Sequence, residues 1–437
     1  MFSWGAPVRD FERQKGKQML DKMGSPPLGP TAPVGETLLA GVAIAIELPP
    51  SQHQLAVERW DAVRGYIERH DSPLAGRVQL FYPQGSMAIR STIKSRKRAD
   101  GFDIDVVAEL SIGAALPAEV LNLLFQAING KPGSRYHGMV ERQSRCVTVY
   151  YSDGMHLDIT PSQLVDENDP RRSFIFHAKA EEPASLHRRI LMNSYGFVER
   201  FNTNASIDLA FAMAYAKRVQ DSELIRAEAE SKPVPSHSTI EGGKSSTVVA
   251  LQLLKRNRNI RYEKRPGRIP PSVMMACFAL EAAVPGNSIG GALEAISACM
   301  LSALEQANKD GVLVDVRNPA CMEERFTDRW PENLQAQRIC MDDLRHFRSQ
   351  LAGLFSEQVG LDKKRDLLVA MFGESPAQTV VNEYAARMGR AIQGGERSVA
   401  KTGRVITGLG VSTPAIIRPA LSQPRSHTFY GTATKNR

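Results

Sequence analysis

The chain has 437 residues, 42% of them apolar and 23% charged, and a net charge of +8. That length allows about three domains with a substantial core, and the composition excludes disorder throughout. The charge sits mostly in the tail: from Arg390 to Arg437 eight Lys or Arg face the single acid Glu396, so the remainder is nearly neutral and no basic groove for an obligatory nucleic-acid partner is expected.

Residues 1–35 read as an N-terminal arm dotted with Gly24, Pro26, Pro27, Gly29, Pro30 and Pro33. They hold no apolar segment of the secretory type, so no signal is expected there. A helical pattern starts at Glu36, breaks at Pro49-Pro50 and resumes from Ser51 with Leu55, Val57, Trp60, Val63 and Ile67, which predicts a long, bent spine helix. Its apolar run from Leu38 to Leu48 has core-helix length, too short to span a bilayer, and no membrane partner is expected. Val78 to Tyr82 is a strand that stops at Pro83, and Gln84-Gly85-Ser86 turns into a helical stretch.

Phe102 to Leu110 reads as a buried strand and a helix follows from Pro117. Cys146–Tyr151 and Met155–Thr160 form a hairpin around Ser152-Asp153-Gly154. Beyond Pro161 the pattern becomes mostly helical from about 185 to 385, with polar loops near 229–243 and 315–332. From about 386 Gly, Ser, Thr and Pro dominate, so a flexible tail is expected, interrupted by Phe429-Tyr430. The organisation is α/β first and α second. The five cysteines, Cys146, Cys277, Cys299, Cys321 and Cys340, are odd in number and lie at least 19 positions apart, which excludes CxxC metal knuckles and points to a reduced, cytoplasmic compartment.

The chemistry is concentrated in Asp103-Ile104-Asp105. Strand side chains alternate, so both carboxylates share one face while Ile104 enters the core. Like charges so placed raise each other's pKa unless a cation neutralises them. Asp158, in His156-Leu157-Asp158-Ile159, is a third acid on an apolar strand, and if the strands adjoin, the three carboxylates converge. An all-oxygen donor set fits Mg²⁺ or Mn²⁺. Gly85-Ser86, 17 positions before Asp103, adds a turn at which a backbone can approach a phosphate. Taken singly, a solvated strand edge would explain the acids and an ordinary turn the Gly-Ser pair. The same holds for Lys94, Arg96, Lys97 and Arg98, a loop that either faces solvent or steers phosphates.

Together these segments resemble the DNA-polymerase-β-like nucleotidyltransferase superfamily, and within it the bacterial relatives of cyclic GMP-AMP synthase, over residues 36–385. The resemblance rests on Gln84-Gly85-Ser86, Asp103-Ile104-Asp105 and His156-Leu157-Asp158-Ile159, and more softly on Asn193-Ser194-Tyr195-Gly196-Phe197, Leu253-Leu254-Lys255-Arg256, Ile269-Pro270-Pro271-Ser272 and Asn318-Pro319 ahead of Phe326 and Trp330. A Pro is usual in the family where Ser194 stands. The resemblance implies a nucleotidyltransferase core with a mixed sheet at 36–170, a helical lobe at 171–385 and the tail at 386–437. It implies that Asp103, Asp105 and Asp158 are catalytic metal ligands, and that Gly85, Ser86, Lys255 and Ser272 bind the nucleotide. A solvated helix face for Lys255 and an N-cap for Ser272 are the simpler readings of those two.

The implied activity joins NTPs, ATP included, into a cyclic di- or trinucleotide with release of pyrophosphate, in bacterial antiphage signalling. The alternative is transfer to an RNA end, a small molecule or a protein. The resemblance also implies donor and acceptor nucleotides as partners and a companion protein at the C-terminal tail.

Overall fold

The computed structural model describes residues 28, 32–94, 103–166, 171–230, 243–393, 397–399 and 405–407. Arg96, Lys97 and Arg98, most of the N-terminal arm and most of the tail, Phe429-Tyr430 included, lie outside the described residues. The chain divides into two compact units, Met1–Ala377 and Gln378–Arg437.

The first unit opens with α1 (Val34–Ile46) and α2 (Pro50–Ile67), separated where Pro49-Pro50 interrupts the helical ladder. Then come β1 (Val78–Pro83), the one-turn helix α3 (Gly85–Ala88), β2 (Asp103–Leu110), α4 (Pro117–Asn129), β3 (Val140–Arg142), β4 (Val147–Tyr150) and β5 (His156–Leu164). The sheet runs β1-β2-β5-β4-β3, and β6 (Ser173–His177) and β7 (Arg188–Met192) extend it from β5. Only the β2–β5 pair is parallel among these strands, which makes the sheet mixed.

Alternation along β2 sends Ile104, Val106, Ala108 and Leu110 into a core with Leu121, Leu124, Val149, Leu157 and Ile159, all fully buried. Each of the larger side chains contributes roughly 1.5–3 kcal/mol by leaving water. The opposite face carries Asp103, Asp105 and Val107, the last packed with Tyr82, Ile175 and Met192.

Helices follow: α5 (Ser194–Asn204), α6 (Leu209–Glu230), α7 (Ser246–Tyr262), α8 (Ser272–Glu281), α9 (Ile289–Lys309), α10 (Leu334–Phe355) and α11 (Leu361–Phe372). Residues 246–257 of α7 are buried on every side, because α1, α8, α9 and α11 all pack on it. Arg256 Nε and Asn257 Nδ2 donate to Phe372 O and Met371 O, satisfying carbonyls that the end of α11 leaves open. The buried Glu36 carboxylate accepts from the first N–H groups of α9, at Ile289 and Gly290.

Two expectations are corrected. The sheet does not end near Pro161: β5 runs on to Leu164, and β6 and β7 lie beyond residue 170, so a boundary there would cut the sheet. The segment 315–332 is not simply a polar loop, since β8 (Arg317–Asn318) and β9 (Cys321–Arg325) pair in it. Beyond these, α12 (Glu374–Gln393) runs past residue 386, and in the second unit β10 (Arg397–Val399) pairs with β11 (Val405–Thr407). Pro161 fits inside β5 because it lies in the gap between its two antiparallel partners, β4 pairing only as far as Ile159 and β6 starting at Ser162.

Candidate active site

The parallel register of β2 and β5 sets Asp105 opposite Asp158 and Asp103 opposite His156. Strands distant in sequence thus bring the three acids to one end of the sheet and one face. Asp103 is the most exposed, its side chain 75% accessible, and lies 3.6 Å from His156 Nδ1. Asp105 is partly buried and its carboxyl is pushed up to about 7, by desolvation first and then by the charges of Asp158 and Asp103. Burial also raises Asp158, while Thr148, its antiparallel neighbour on β4, donates a hydrogen bond to its Oδ1 and pulls the other way.

The Gly-Ser turn stands directly over this pair. Gln84 N donates to Asp105 O at 2.9 Å, and Gly85 follows at φ +58°, where a Cβ would sit 2.9 Å from Asp105 Oδ2. Glycine is needed there twice, for the left-handed backbone and for the close approach. Ser86 is the second residue of α3. Its carbonyl accepts from Ser91 N at 2.8 Å and its hydroxyl accepts from Thr92 Oγ1 at 3.3 Å, which folds the chain back over the turn.

Lys255 is not on a solvated helix face. It is 5% exposed, projects from α7 toward this turn and donates to Ser91 O at 2.9 Å, while Gln252 on the preceding turn of α7 donates to Thr92 O. Its ammonium is held down to about 7, by burial first and by Arg258, against the opposing pull of Asp105. Ser272 is not an N-cap either: Pro271 occupies that position, and the Ser272 hydroxyl accepts from Arg258 Nη1 at 2.9 Å.

A cleft of about 680 Å³ joins these groups. Gly85, Ser86, Asp103, Asp105, Lys255 and Ser272 all line it, and Asp158 stands beside Asp105 without lining it. Lys94 is another wall residue. Among the described residues no group of three or more His, Cys, Asp or Glu side chains is disposed to hold a metal ion. The donor chemistry does suit a hard cation, because three carboxylates from two parallel neighbours share one end of the sheet and the repulsion that raises Asp105 is what a divalent charge would relieve.

Sequence reasoning missed Thr148, Arg258 and Thr160, whose hydroxyl accepts from Gln84 Nε2 at 3.3 Å. Counting outward from the Asp153-Gly154 turn would have paired Thr148 with Asp158, and Arg258 lies one helical turn after Lys255 on the same face.

A mixed sheet with an Asp-x-Asp strand parallel to a second Asp strand, a Gly-Ser turn above them and a helical lobe closing the cleft is the architecture of a nucleotidyltransferase. No family model matches the chain. It is 39% identical to the cyclic dinucleotide synthase CdnG of Bradyrhizobium diazoefficiens over 93% of its own length and 96% of the relative's. The structure of that CD-NTase in complex with GTP superposes with a TM-score of 0.69 at 37% identity, covering 80% of this chain and 99% of that one. A c-di-GMP synthase of Roseivirga ehrenbergii is 23% identical over 78% of this chain and 85% of its own. The E. coli CdnC:HORMA-deltaN complex shares the fold, with a TM-score of 0.51 at 16% identity over 76% of this chain and 94% of that one. The chain belongs to the cyclic dinucleotide synthase family of nucleotidyltransferases.

Proposed function

We propose that the protein joins two nucleoside triphosphates, GTP among them and ATP as a further candidate, into a cyclic dinucleotide. The observation that carries the reading is the placement of Asp105 opposite Asp158 in a parallel ladder, with Gly85 close enough that a Cβ would meet Asp105 Oδ2 at 2.9 Å. Asp103, Asp105 and Asp158 are the residues that would hold Mg²⁺ or Mn²⁺, and such an ion supplies Lewis-acid polarisation of the α-phosphate and neutralises charge developing there. Backbone groups after Gly85, the Ser86 hydroxyl and the Lys255 ammonium line the cleft and would bind the donor triphosphate, with Ser272 held by the hydrogen bond it accepts from Arg258.

In the first transfer a ribose hydroxyl oxygen of the acceptor bonds to the donor α-phosphorus. The bond from that phosphorus to the β-phosphate oxygen breaks, pyrophosphate leaves and the hydroxyl proton passes to solvent. A second transfer of the same kind closes the ring. The chain's part is alignment and charge compensation, and no covalent enzyme intermediate is needed.

The reading extends to cytoplasmic antiphage signalling and to a companion protein acting on the C-terminal tail. Among the described residues no helix is long and apolar enough to cross a membrane, and CdnC, which has the same fold, occurs in a CdnC:HORMA-deltaN complex. The test is incubation of the purified protein with Mg²⁺ and the four NTPs, singly and in pairs, followed by resolution of phosphatase-resistant products. A cyclic dinucleotide formed with no added acceptor is expected. Labelling that appears only on added RNA or protein would overturn the reading.

A further inference from the structure

Strand β4 reads Val147-Thr148-Val149-Tyr150. Val147 and Val149 are fully buried in the sheet core and stand opposite Ile159 and Leu157 of β5. Thr148 and Tyr150 alternate with them and fall on the other face, opposite Asp158 and His156. Two cross-strand rows result. Thr148, Asp158 and Asp105 follow one another across β4, β5 and β2, and Tyr150, His156 and Asp103 do the same one step further along. In the second row the rings of Tyr150 and His156 meet edge to face with centroids 4.6 Å apart, and His156 Nδ1 lies 3.6 Å from Asp103 Oδ1.

The first row is held more tightly. Thr148 is 4% exposed, and its hydroxyl donates to Asp158 Oδ1. Packing alone does not call for threonine at this place, because valine has the same branched shape, an equal liking for strands and no hydroxyl to desolvate. The carboxylate that the hydroxyl meets explains the choice. Directly opposed residues have Cβ atoms about 4.5–5.5 Å apart, so threonine reaches aspartate without an intervening water, and branching at Cβ leaves it few rotamers from which to do so. A hydrogen bond to one of its two oxygens stops the carboxylate from turning freely about its Cβ–Cγ bond, and burial keeps water from competing for that oxygen. Donors placed behind metal-ligating side chains fix the direction of the ligating atoms, and losing one costs about 10- to 100-fold in metal affinity or activity.

We infer that Thr148 is a positioning residue that sets the Asp158 carboxylate for the divalent cation of the proposed reaction. The inference rests on the function proposed above and extends its metal end by one residue. Thr148 does not line the cleft, so its effect on the chemistry has to pass through Asp158, the neighbour of Asp105.

The test titrates the full-length protein with Mn²⁺ in the absence of nucleotide, following the electron paramagnetic resonance signal of the free ion, and records thermal unfolding of the same proteins in EDTA. Thr148→Val keeps the shape and removes the donor, Thr148→Ala removes both, and Thr148→Ser keeps the donor. Half-saturation by Mn²⁺ is expected to need about tenfold more metal in the Val and Ala variants and to stay within about twofold of wild type in the Ser variant. The Mg²⁺ concentration for half-maximal dinucleotide synthesis should move in the same order. A purely structural threonine would lower the melting temperature in EDTA and leave half-saturation where it was. That result, or a Ser variant as weak as Val, would overturn the inference. A wild-type protein that binds no Mn²⁺, or whose binding survives Asp105→Asn unchanged, would bring down the metal site and the function proposed from it, a failure distinct from the other two.

Discussion

Replacing Asp105 with Asn should make the metal-free protein more stable while ending synthesis. The carboxyl has an ordinary pKa of 3.8 and is pushed up to about 7 in the fold, chiefly by burial. A folded-state pKa above the unfolded one means that the native state binds the extra proton, so stability is full below about pH 4 and falls as pH rises toward 7. A displacement of roughly 3 units at ~1.36 kcal/mol each sets a ceiling of about 4 kcal/mol. Lys255 loses its opposing charge in the variant, which offsets part of that, and a net gain of about 2 kcal/mol at pH 7 is expected. Lys255 is itself held down to about 7, so its contribution changes above that pH and with the opposite sign. The measurement is therefore thermal unfolding in EDTA between pH 4.5 and 7. The wild type should lose stability across this window more steeply than Asp105→Asn, in which Asp158, Glu36 and Glu324, also raised by burial, keep their own pH dependence, and the variant should melt a few degrees higher at pH 7. Added Mg²⁺ should reverse the order by stabilising the wild type alone. Parallel pH slopes for the two proteins, or a variant less stable than wild type in EDTA at pH 7, would refute the reasoning.

Ser86→Ala removes the hydroxyl that faces the cleft beside Thr92. One hydrogen bond to a charged group is worth roughly 1.5–3 kcal/mol, so KM for the donor NTP should rise about tenfold or more with kcat little changed, and unaltered steady-state constants would place Ser86 outside the site. A chain ending at Gln393, the last residue of α12, should keep dinucleotide synthesis and lose capture of a companion protein. Loss of synthesis by that truncated chain, with its circular dichroism unchanged, would show that residues beyond 393 serve the chemistry.

Much of the site was legible because its signals are local. Gly85 at a positive φ, the Pro49-Pro50 break and the alternation that sends Asp103 and Asp105 away from Ile104 are short-range consequences of backbone sterics, visible in a few adjacent residues. The strands β6 and β7 were not legible. Ser173–His177 is buried at every position except the half-buried Phe174, so it shows no polar alternation, and Arg188–Met192 begins with two exposed arginines. Nor could the sequence choose the partner of β2: β1 and β5 flank it, and only the parallel register with β5 decides that Asp105 faces Asp158.

The sequence by itself therefore determined the strand-turn-helix unit, the pair of carboxylates on one strand face and the basic tail. The tertiary structure decided what those groups meet. It buried Lys255 against Ser91, turned Ser272 toward Arg258 and set Thr148 against Asp158. The physical reason is the range of the forces involved. Turn and alternation preferences act within a few residues of chain, whereas desolvation and charge pairing depend on which segments the core brings together.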